Sequence, residues 1–280
     1  MRSRPILLAA TLVGAVGTPL AAQRVRLEGG LSVSTGTYVF APRTTTWAWA
    51  TGLALGSGRL TMRASLPLYL QNTSLVSGSG IGRIPTGGSS SSAVGRGGSG
   101  GRGSRGSRAT VEVPGAAVTG YEAAVGDPLV SLSWRALNAN RTVVTIGAAI
   151  KAPLADTSTF GTGEWDAAAT VSASRFLGHR VFLGVDLGYW RLGDLEDLDL
   201  RDPLTGTLSV GYLAEGGWGG TLVGSAATAV VEGFDGPVSV GAAVTRAASG
   251  RSWSLLTLVG VTETAPDLTL GLSWSLRLSR

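Results

Sequence analysis

The chain has 280 residues, of which 44% are hydrophobic and only 15% charged, with 43 glycines, no cysteine and a formal net charge of +5. The lack of cysteine excludes disulfides, thiol catalysis and thiolate metal sites. No segment of the mature chain has the roughly 18 to 20 consecutive apolar residues that a membrane-spanning helix needs. The apolar residues are therefore dispersed along the chain, as they are in membrane-spanning strands.

The first 22 residues have the three parts of a secretory signal peptide. Arg2 and Arg4 are followed by an apolar stretch over residues 6–16 and by the small residues Ala21 and Ala22. A membrane-anchor helix is the alternative, but the stretch is too short and is broken by glycine and proline. The sequence thus predicts an exported protein with a signal peptide over 1–22 and one mature domain over 23–280.

From Arg24 onward, apolar residues recur at every second position, the period of a β-strand. The last segment shows this pattern best: Leu268, Leu270, Leu272, Trp274 and Leu276 alternate with Thr269, Gly271, Ser273 and Ser275. A soluble β-sandwich also alternates, but here the polar face is mostly Gly, Ala, Ser and Thr. The segments are also about 11 to 15 residues long, whereas soluble strands usually have about 5 or 6 and a tilted membrane strand about 9 to 11.

Short and long connections alternate between these segments. Short turns are predicted at 56–59, 138–141, 178–179, 216–220 and 249–251, and longer connections at 42–43, 72–126, 155–163, 193–203, 232–236 and 264–266. Eleven connections imply twelve strands, and short periplasmic turns opposite longer extracellular loops are typical of outer-membrane barrels. The predicted fold is therefore all-β, a single closed antiparallel transmembrane barrel of about twelve strands. The segment 221–231 has the weakest strand pattern.

The longest connection contains GRGGSGGRGSRGSR at 95–108, which by itself is typical of RNA-binding arginine-glycine tracts. An exported chain does not meet cytoplasmic RNA, so no specific nucleic acid partner is expected. A segment this rich in Gly, Ser and Arg buries too little apolar surface to offset chain entropy. Residues 76–124 are therefore predicted to form a disordered extracellular loop, with contact between its arginines and anionic headgroups as the alternative.

Neither an enzyme nor a metal centre is expected. The single histidine, His179, falls in a predicted periplasmic turn, with no serine and supporting acid expected near it. Residues 97–101 match the GxSxG nucleophile pattern, but they lie in low-complexity sequence rather than between a strand and a helix. One histidine, no cysteine and scattered acids give no metal-ligand cluster, and no cofactor is expected.

The candidate functional residues are those that strand parity directs into the lumen. They are Glu28, Arg63, Tyr69, Arg135, Lys151, Asp186 and Arg277, set in a wall of small residues. Lumenal charges and pore width determine selectivity in channels, so the sequence favours passive diffusion of small solutes, with Arg63, Arg135 and Lys151 as candidates for solute contact. For the individual residues, the alternative is that these charges pair with one another and brace the wall. For the whole protein, the alternative is a sealed barrel whose outer loops adhere or bind ligands.

Two stretches resemble known outer-membrane proteins. Gly126-Asp127-Pro128, Lys151-Ala152-Pro153-Leu154-Ala155-Asp156 and Gly161-Thr162-Gly163 resemble motifs of transporters of the "MetA-pathway of phenol degradation" type, although Leu154 and Ala155 replace the usual Thr-Gly. This resemblance implies a monomeric outer-membrane barrel that takes up small compounds, with aromatic compounds among the candidates. Thr269, Gly271, Trp274 and Leu276 resemble the C-terminal signal of bacterial barrels, which implies recognition by the barrel-assembly machinery.

Overall fold

The computed structural model describes residues 24–88, 94, 120–155, 160–195 and 198–278. The predicted signal peptide and the arginine-glycine tract lie outside these ranges. Among the described residues no helix is long and apolar enough to span a membrane. The strands are β1 (Arg24–Gly36), β2 (Thr44–Ser57), β3 (Leu60–Gln71), β4 (Val76–Ser79), β5 (Gly82–Pro85), β6 (Glu122–Val125), β7 (Leu129–Ala139), β8 (Thr142–Lys151), β9 (Asp166–Leu177), β10 (Val181–Arg191), β11 (Leu204–Leu213), β12 (Trp218–Ala227), β13 (Val238–Ala248), β14 (Arg251–Gly260) and β15 (Leu268–Arg277).

Twelve antiparallel strands close into a barrel, as the sequence predicts. Each strand pairs with its neighbour in the chain, and β15 pairs with β1, for example at Leu272 opposite Leu31. Both β6 and β7 pair with β3, so they form one barrel strand that is interrupted at residues 126–128. Closure leaves no sheet edge, as a hydrocarbon environment requires.

The alternating sequence fixes which face of the wall meets lipid. Large apolar side chains such as Leu187, Leu208 and Leu222 are more than half exposed on the outer face. Their neighbours along each strand are mostly Gly, Ala, Ser and Thr, which face the lumen because successive side chains point to opposite sides.

Aromatic residues mark the two ends of the outer face. Trp47, Trp49 and Trp165 are exposed near the ends that carry long connections. At the other end Trp218 and Trp253 pack edge to face with ring centroids 5.5 Å apart, and the Arg246 guanidinium lies 4.9 Å from the Trp218 ring. Such belts are typical of the two membrane interfaces.

Short turns and long connections alternate as predicted, with small differences at their ends. The β7–β8 turn has two central residues, Asn140 and Arg141, both with positive φ, as a type I′ hairpin turn requires. The weakly patterned segment becomes β12, which begins and ends earlier than the predicted 221–231. Val230 and Val231 instead lie in the following connection and are buried, which explains why their apolarity did not mark a lipid-facing strand.

The start of the longest connection differs from the expected disordered loop. Strands β4 and β5 form a hairpin with a register running from Val76 opposite Pro85 to Ser79 opposite Gly82. Leu75, Val76 and Ile84 are almost completely buried. These apolar residues are too few to alter the average composition of 76–124, but they are enough to pack a short hairpin.

Substitutions on neighbouring positions of β11 test the lipid-facing assignment. We expect Leu208→Arg to lower the free energy of unfolding by about 2–4 kcal/mol, because it places a charge in the hydrocarbon layer. Ser209→Arg, whose side chain faces the lumen, is the matched control and should have a much smaller effect. Urea unfolding in lipid vesicles measures both, and equal losses would contradict the assignment.

Candidate functional site

The described part of the lumen contains three separate cavities along β1. Inward-facing residues of β1 line three cavities in succession: Arg24 and Arg26 line one of about 250 Å³, Glu28 and Gly30 one of about 450 Å³, and Ser32 with Ser34 one of about 510 Å³. The small side chains of the wall leave this space unfilled. The cavities extend from the short-turn end of the barrel to the long-connection end.

The structure places the seven predicted lumen residues in different surroundings. Glu28, Arg63, Arg135 and Arg277 lie in the short-turn half, Asp186 lies in the middle of β10, and Tyr69 and Lys151 lie in the long-connection half. Asp186 is exposed, whereas Lys151 is buried. Their part in solute contact stays a prediction.

The short-turn end of the lumen is rich in arginine. We call Arg24, Arg26, Arg63, Arg135 and Arg277 the turn-end arginine group. The first four line the cavity of about 250 Å³, and Arg277 lies opposite Arg26 in the β1–β15 register. Glu28 offsets part of this charge, with its carboxylate 3.3 Å from Arg63 Nε. The remaining positive charge attracts anions toward this end of the barrel.

The β4–β5 hairpin lies inside the long-connection half of the lumen. Gly78 N–H donates to the carbonyl of Phe160 at 2.8 Å, and Gly80 N–H donates to Asp166 Oδ2 at 2.8 Å. Gly80 at the tip lies against the Trp190 ring, on the inward face of β10. The hairpin therefore extends from β3 across the lumen toward β9 and β10.

A buried glutamine fixes the start of this hairpin. Gln71, the last residue of β3, accepts a hydrogen bond from Thr46 and donates to the carbonyls of Thr73 and Val76. It is completely buried. The side chain thereby satisfies backbone groups exactly where the chain leaves the barrel wall, which the alternating pattern of β3 did not indicate.

Apolar residues of several long connections pack around the hairpin. The cluster contains Tyr38, Val39 and Phe40 of the β1–β2 connection, Leu75, Val76 and Ile84 of the hairpin, Trp190 of β10, and Leu192, Leu198, Leu200, Val230 and Val231 of two further connections. Burial of this surface, at roughly 25 cal/mol per Å² of apolar area, holds these connections and the hairpin together.

A buried ionic cluster links the hairpin to the wall. Lys151 Nζ donates to Asp127 Oδ2 and to Thr162 Oγ1, both at 2.8 Å, and lies 3.4 Å from Asp166 Oδ2. The side chains of Lys151, Asp127 and Asp166 are at most 5% exposed. We call Lys151, Asp127, Thr162 and Asp166 the lysine clamp.

Backbone donors complete the lysine clamp. Asp127 Oδ1 accepts the N–H groups of Leu154 and Ala155, and Asp166 accepts those of Gly80 and Gly193. A buried charge is tolerated only when it is paired and hydrogen-bonded, and both carboxylates meet that condition. The clamp therefore joins the β6–β7 interruption, the ends of β8 and β9, and the hairpin tip.

Arg83 of the hairpin is placed differently. Its guanidinium lies 3.7 Å from the centroid of the Tyr69 ring and 5.9 Å from that of Phe160. Both terminal nitrogens are buried and have no hydrogen-bond partner among the described residues. Burial lowers the pKa of Arg83 below its ordinary range, but an arginine side chain stays charged at neutral pH.

Tyr38 and Trp190 lie on the same cavity as Arg83. The cavity of about 510 Å³ contacts the hairpin residues Gly80, Ile81 and Arg83 and reaches Pro237 and Pro266 in the long connections. Burial raises the pKa of Tyr38, although Ser34 offsets part of this rise, so the phenol is neutral at neutral pH. This cavity is free space beside the hairpin.

Sequence reasoning identified only part of this arrangement. Strand parity directed Tyr69 and Lys151 inward, and the family resemblance drew attention to the segments that contain Asp127 and Thr162. Gln71 and Arg83 were missed. Arg83 carried no separate signal, because it lies within 76–124, which composition predicted to be disordered as a whole.

The predicted assembly residues lie on the closing strand. Thr269 and Gly271 face the lumen from β15, whereas Trp274 and Leu276 face outward, Trp274 lying opposite Gly29 of β1 and Trp253 of β14. Recognition by the assembly machinery stays a prediction. His179 lies in the β9–β10 turn, and the described residues contain no group of three or more His, Cys, Asp or Glu that could hold a metal ion.

Comparison with known proteins shows the fold. No protein-family model and no curated protein matches the chain. The COG4313 outer membrane channel from Pseudomonas putida F1 superposes with a TM-score of 0.66, covering 93% of this chain and 97% of that chain at 13% sequence identity. At that identity the likeness establishes a shared barrel fold.

Two further solved structures are more distant. The KdgM porin has a TM-score of 0.47 and 5% identity, covering 90% of this chain and 98% of that chain. The toluene transporter TodX from P. putida has a TM-score of 0.42 and 10% identity, covering 94% and 91%. These scores are too low to say more about this chain.

Removing the cation of the lysine clamp tests its contribution to stability. We expect Lys151→Met to lower the free energy of unfolding by about 3–5 kcal/mol, because it leaves two buried carboxylates without their cation. Arg43→Met is the matched control, since Arg43 pairs with Asp267 at 2.7 Å with both side chains about half exposed. Arg43→Met should lower the free energy of unfolding by no more than about 1 kcal/mol. Similar losses in the two variants would contradict the role of the clamp.

Proposed function

We propose that the protein is an outer-membrane channel for passive diffusion of small solutes. The observation that carries this proposal is the succession of three cavities along the inward face of β1, from Arg24 to Ser34. A barrel that served only as a scaffold has no need for a wall of small residues that leaves its lumen unfilled. Twelve strands give a lumen between that of small side-chain-filled barrels and that of wide porins.

The β4–β5 hairpin is the element that narrows this channel. It crosses the long-connection half of the lumen, is tied to Asp166, and leaves the cavity of about 510 Å³ as the passage beside it. We infer that displacement of the hairpin widens the path. The turn-end arginine group then gives the short-turn end of the channel a preference for anions.

Location and partners follow from the same account. The apolar outer face with its aromatic belts suits outer-membrane lipid, and residues 1–22 would direct export before assembly into the membrane. The family resemblance adds small aromatic compounds as candidate solutes and a monomeric state. Passive flow through such a barrel involves no catalysis and no cofactor.

Recordings in planar lipid bilayers test the channel proposal against its alternative. Purified mature protein should produce stepwise current openings, because three cavities follow one another along the lumen. A correctly folded barrel that never conducts would reject the proposal and favour a structural or adhesive barrel. Heat-dependent migration in SDS gels confirms that the sample is folded.

A single methyl group at the hairpin tip should change gating. In Gly80→Ala the added Cβ collides with the Trp190 ring, whereas in Gly78→Ala, the matched control, the nearest atoms are 3.7 Å away. Overpacking of this kind costs about 1–3 kcal/mol. We therefore expect the open probability to rise roughly tenfold in Gly80→Ala and to stay unchanged in Gly78→Ala. If both variants gate like the wild type, the hairpin does not limit the current.

A further inference from the structure

Arg83 is a buried cation without a direct partner. Its two terminal nitrogens make no hydrogen bond to any described residue, and the contact it does make is with the face of Tyr69. Contact with an aromatic ring is worth less than a hydrogen-bonded ion pair. The position therefore has unused capacity to bind an anion.

The carboxylates near the hairpin are already engaged. Asp127 and Asp166 share Lys151 and also accept four backbone N–H groups between them. Asp267, which influences Tyr38, is paired with Arg43 at 2.7 Å. These contacts leave the Arg83 guanidinium without a carboxylate from the described part of the chain.

The chemistry of the guanidinium and of the cavity wall defines the missing partner. Two terminal nitrogens in a planar fork match the two oxygens of a carboxylate. Beside Arg83, the cavity of about 510 Å³ carries the aromatic rings of Tyr38 and Trp190 and the apolar residues Ile81, Leu258 and Pro266. Its volume falls within the roughly 300–1,000 Å³ of small-molecule pockets.

We propose that this cavity binds a small aromatic carboxylate, with the carboxylate on Arg83 and the ring against Trp190 and Tyr38. Because the terminal nitrogens are buried, binding requires the Arg83 side chain to rotate toward the cavity. The carboxylate then supplies the hydrogen bonds that the guanidinium lacks. The proposal rests on the proposed channel function and names its solute class, since the turn-end arginine group favours an anion at the other end of the path.

Equilibrium binding to the detergent-solubilised mature protein tests the site. The ligands are benzoate and benzamide, which have the same ring and nearly the same shape but differ in charge. We expect wild-type protein to bind benzoate at least about tenfold more tightly than benzamide, a difference of about 1.4 kcal/mol. Isothermal titration or equilibrium dialysis gives both affinities.

Variants test whether Arg83 causes the preference for benzoate over benzamide. Arg83→Gln should lose this preference. Arg83→Lys keeps the charge but not the planar fork, so it should retain part of the preference. Arg201→Gln is the matched control, because Arg201 is exposed and pairs with Glu232 at 3.0 Å, and it should bind benzoate as the wild type does. Arg83→Gln removes a buried unpaired charge, so this variant should fold. If it does not fold, the ratio of benzoate to benzamide affinity in Arg83→Lys tests the site by itself.

Three results would overturn the site. They are equal affinity for benzoate and benzamide in the wild type, an unchanged preference in Arg83→Gln, and loss of tight binding in Arg26→Gln instead of Arg83→Gln. The outcome is separate from conduction, because binding requires no current. If the barrel binds benzoate but does not conduct, the binding site is supported and the channel function is rejected. If the barrel conducts but does not prefer benzoate to benzamide, only the binding site is rejected.

Discussion

A hydrocarbon layer offers no hydrogen-bond partner, so every backbone N–H and C=O group that crosses it must pair within the protein. In this chain β15 meets that requirement by pairing with β1, which removes both sheet edges at once. Closure then divides the side chains of every strand between lipid and lumen. Because large apolar groups occupy the lipid face, the residues left for the lumen are mostly Gly, Ser, Thr and Ala, and the free space inside the barrel is a consequence of the same alternation.

Two cations within the barrel, Lys151 and Arg83, differ in how they are paired. Lys151 is fully engaged with Asp127, Asp166 and Thr162, so its charge fixes where the hairpin and the ends of β8 and β9 lie. Arg83 is held against Tyr69 with its terminal nitrogens unpartnered, so its charge remains free for a ligand. The cation that braces the wall is therefore a different residue from the one to which we assign the proposed binding site.

The sequence predicted the barrel well because its signal is local and repeated. The alternation of β15 and the position of each short turn were enough for twelve strands and their inward faces. The hairpin was missed because Leu75, Val76 and Ile84 are few among many Gly, Ser and Arg residues, and composition averages them away. Strand parity directed Lys151 inward, but its partners lie 24 and 15 positions away at Asp127 and Asp166. Which charges meet depends on where the barrel strand formed by β6 and β7 is interrupted and where β8 ends, and no local pattern contains that information.

The central claim is a closed barrel whose two faces meet different solvents, and spin labelling tests it most directly. The chain has no native cysteine, so single cysteines can be placed at each position of β11 and labelled in lipid vesicles. We predict that labels at 204, 206, 208 and 210 collide mainly with oxygen, which dissolves in lipid. Labels at 205, 207 and 209 should collide mainly with a water-soluble nickel chelate. Accessibility that does not alternate along the strand would contradict the account.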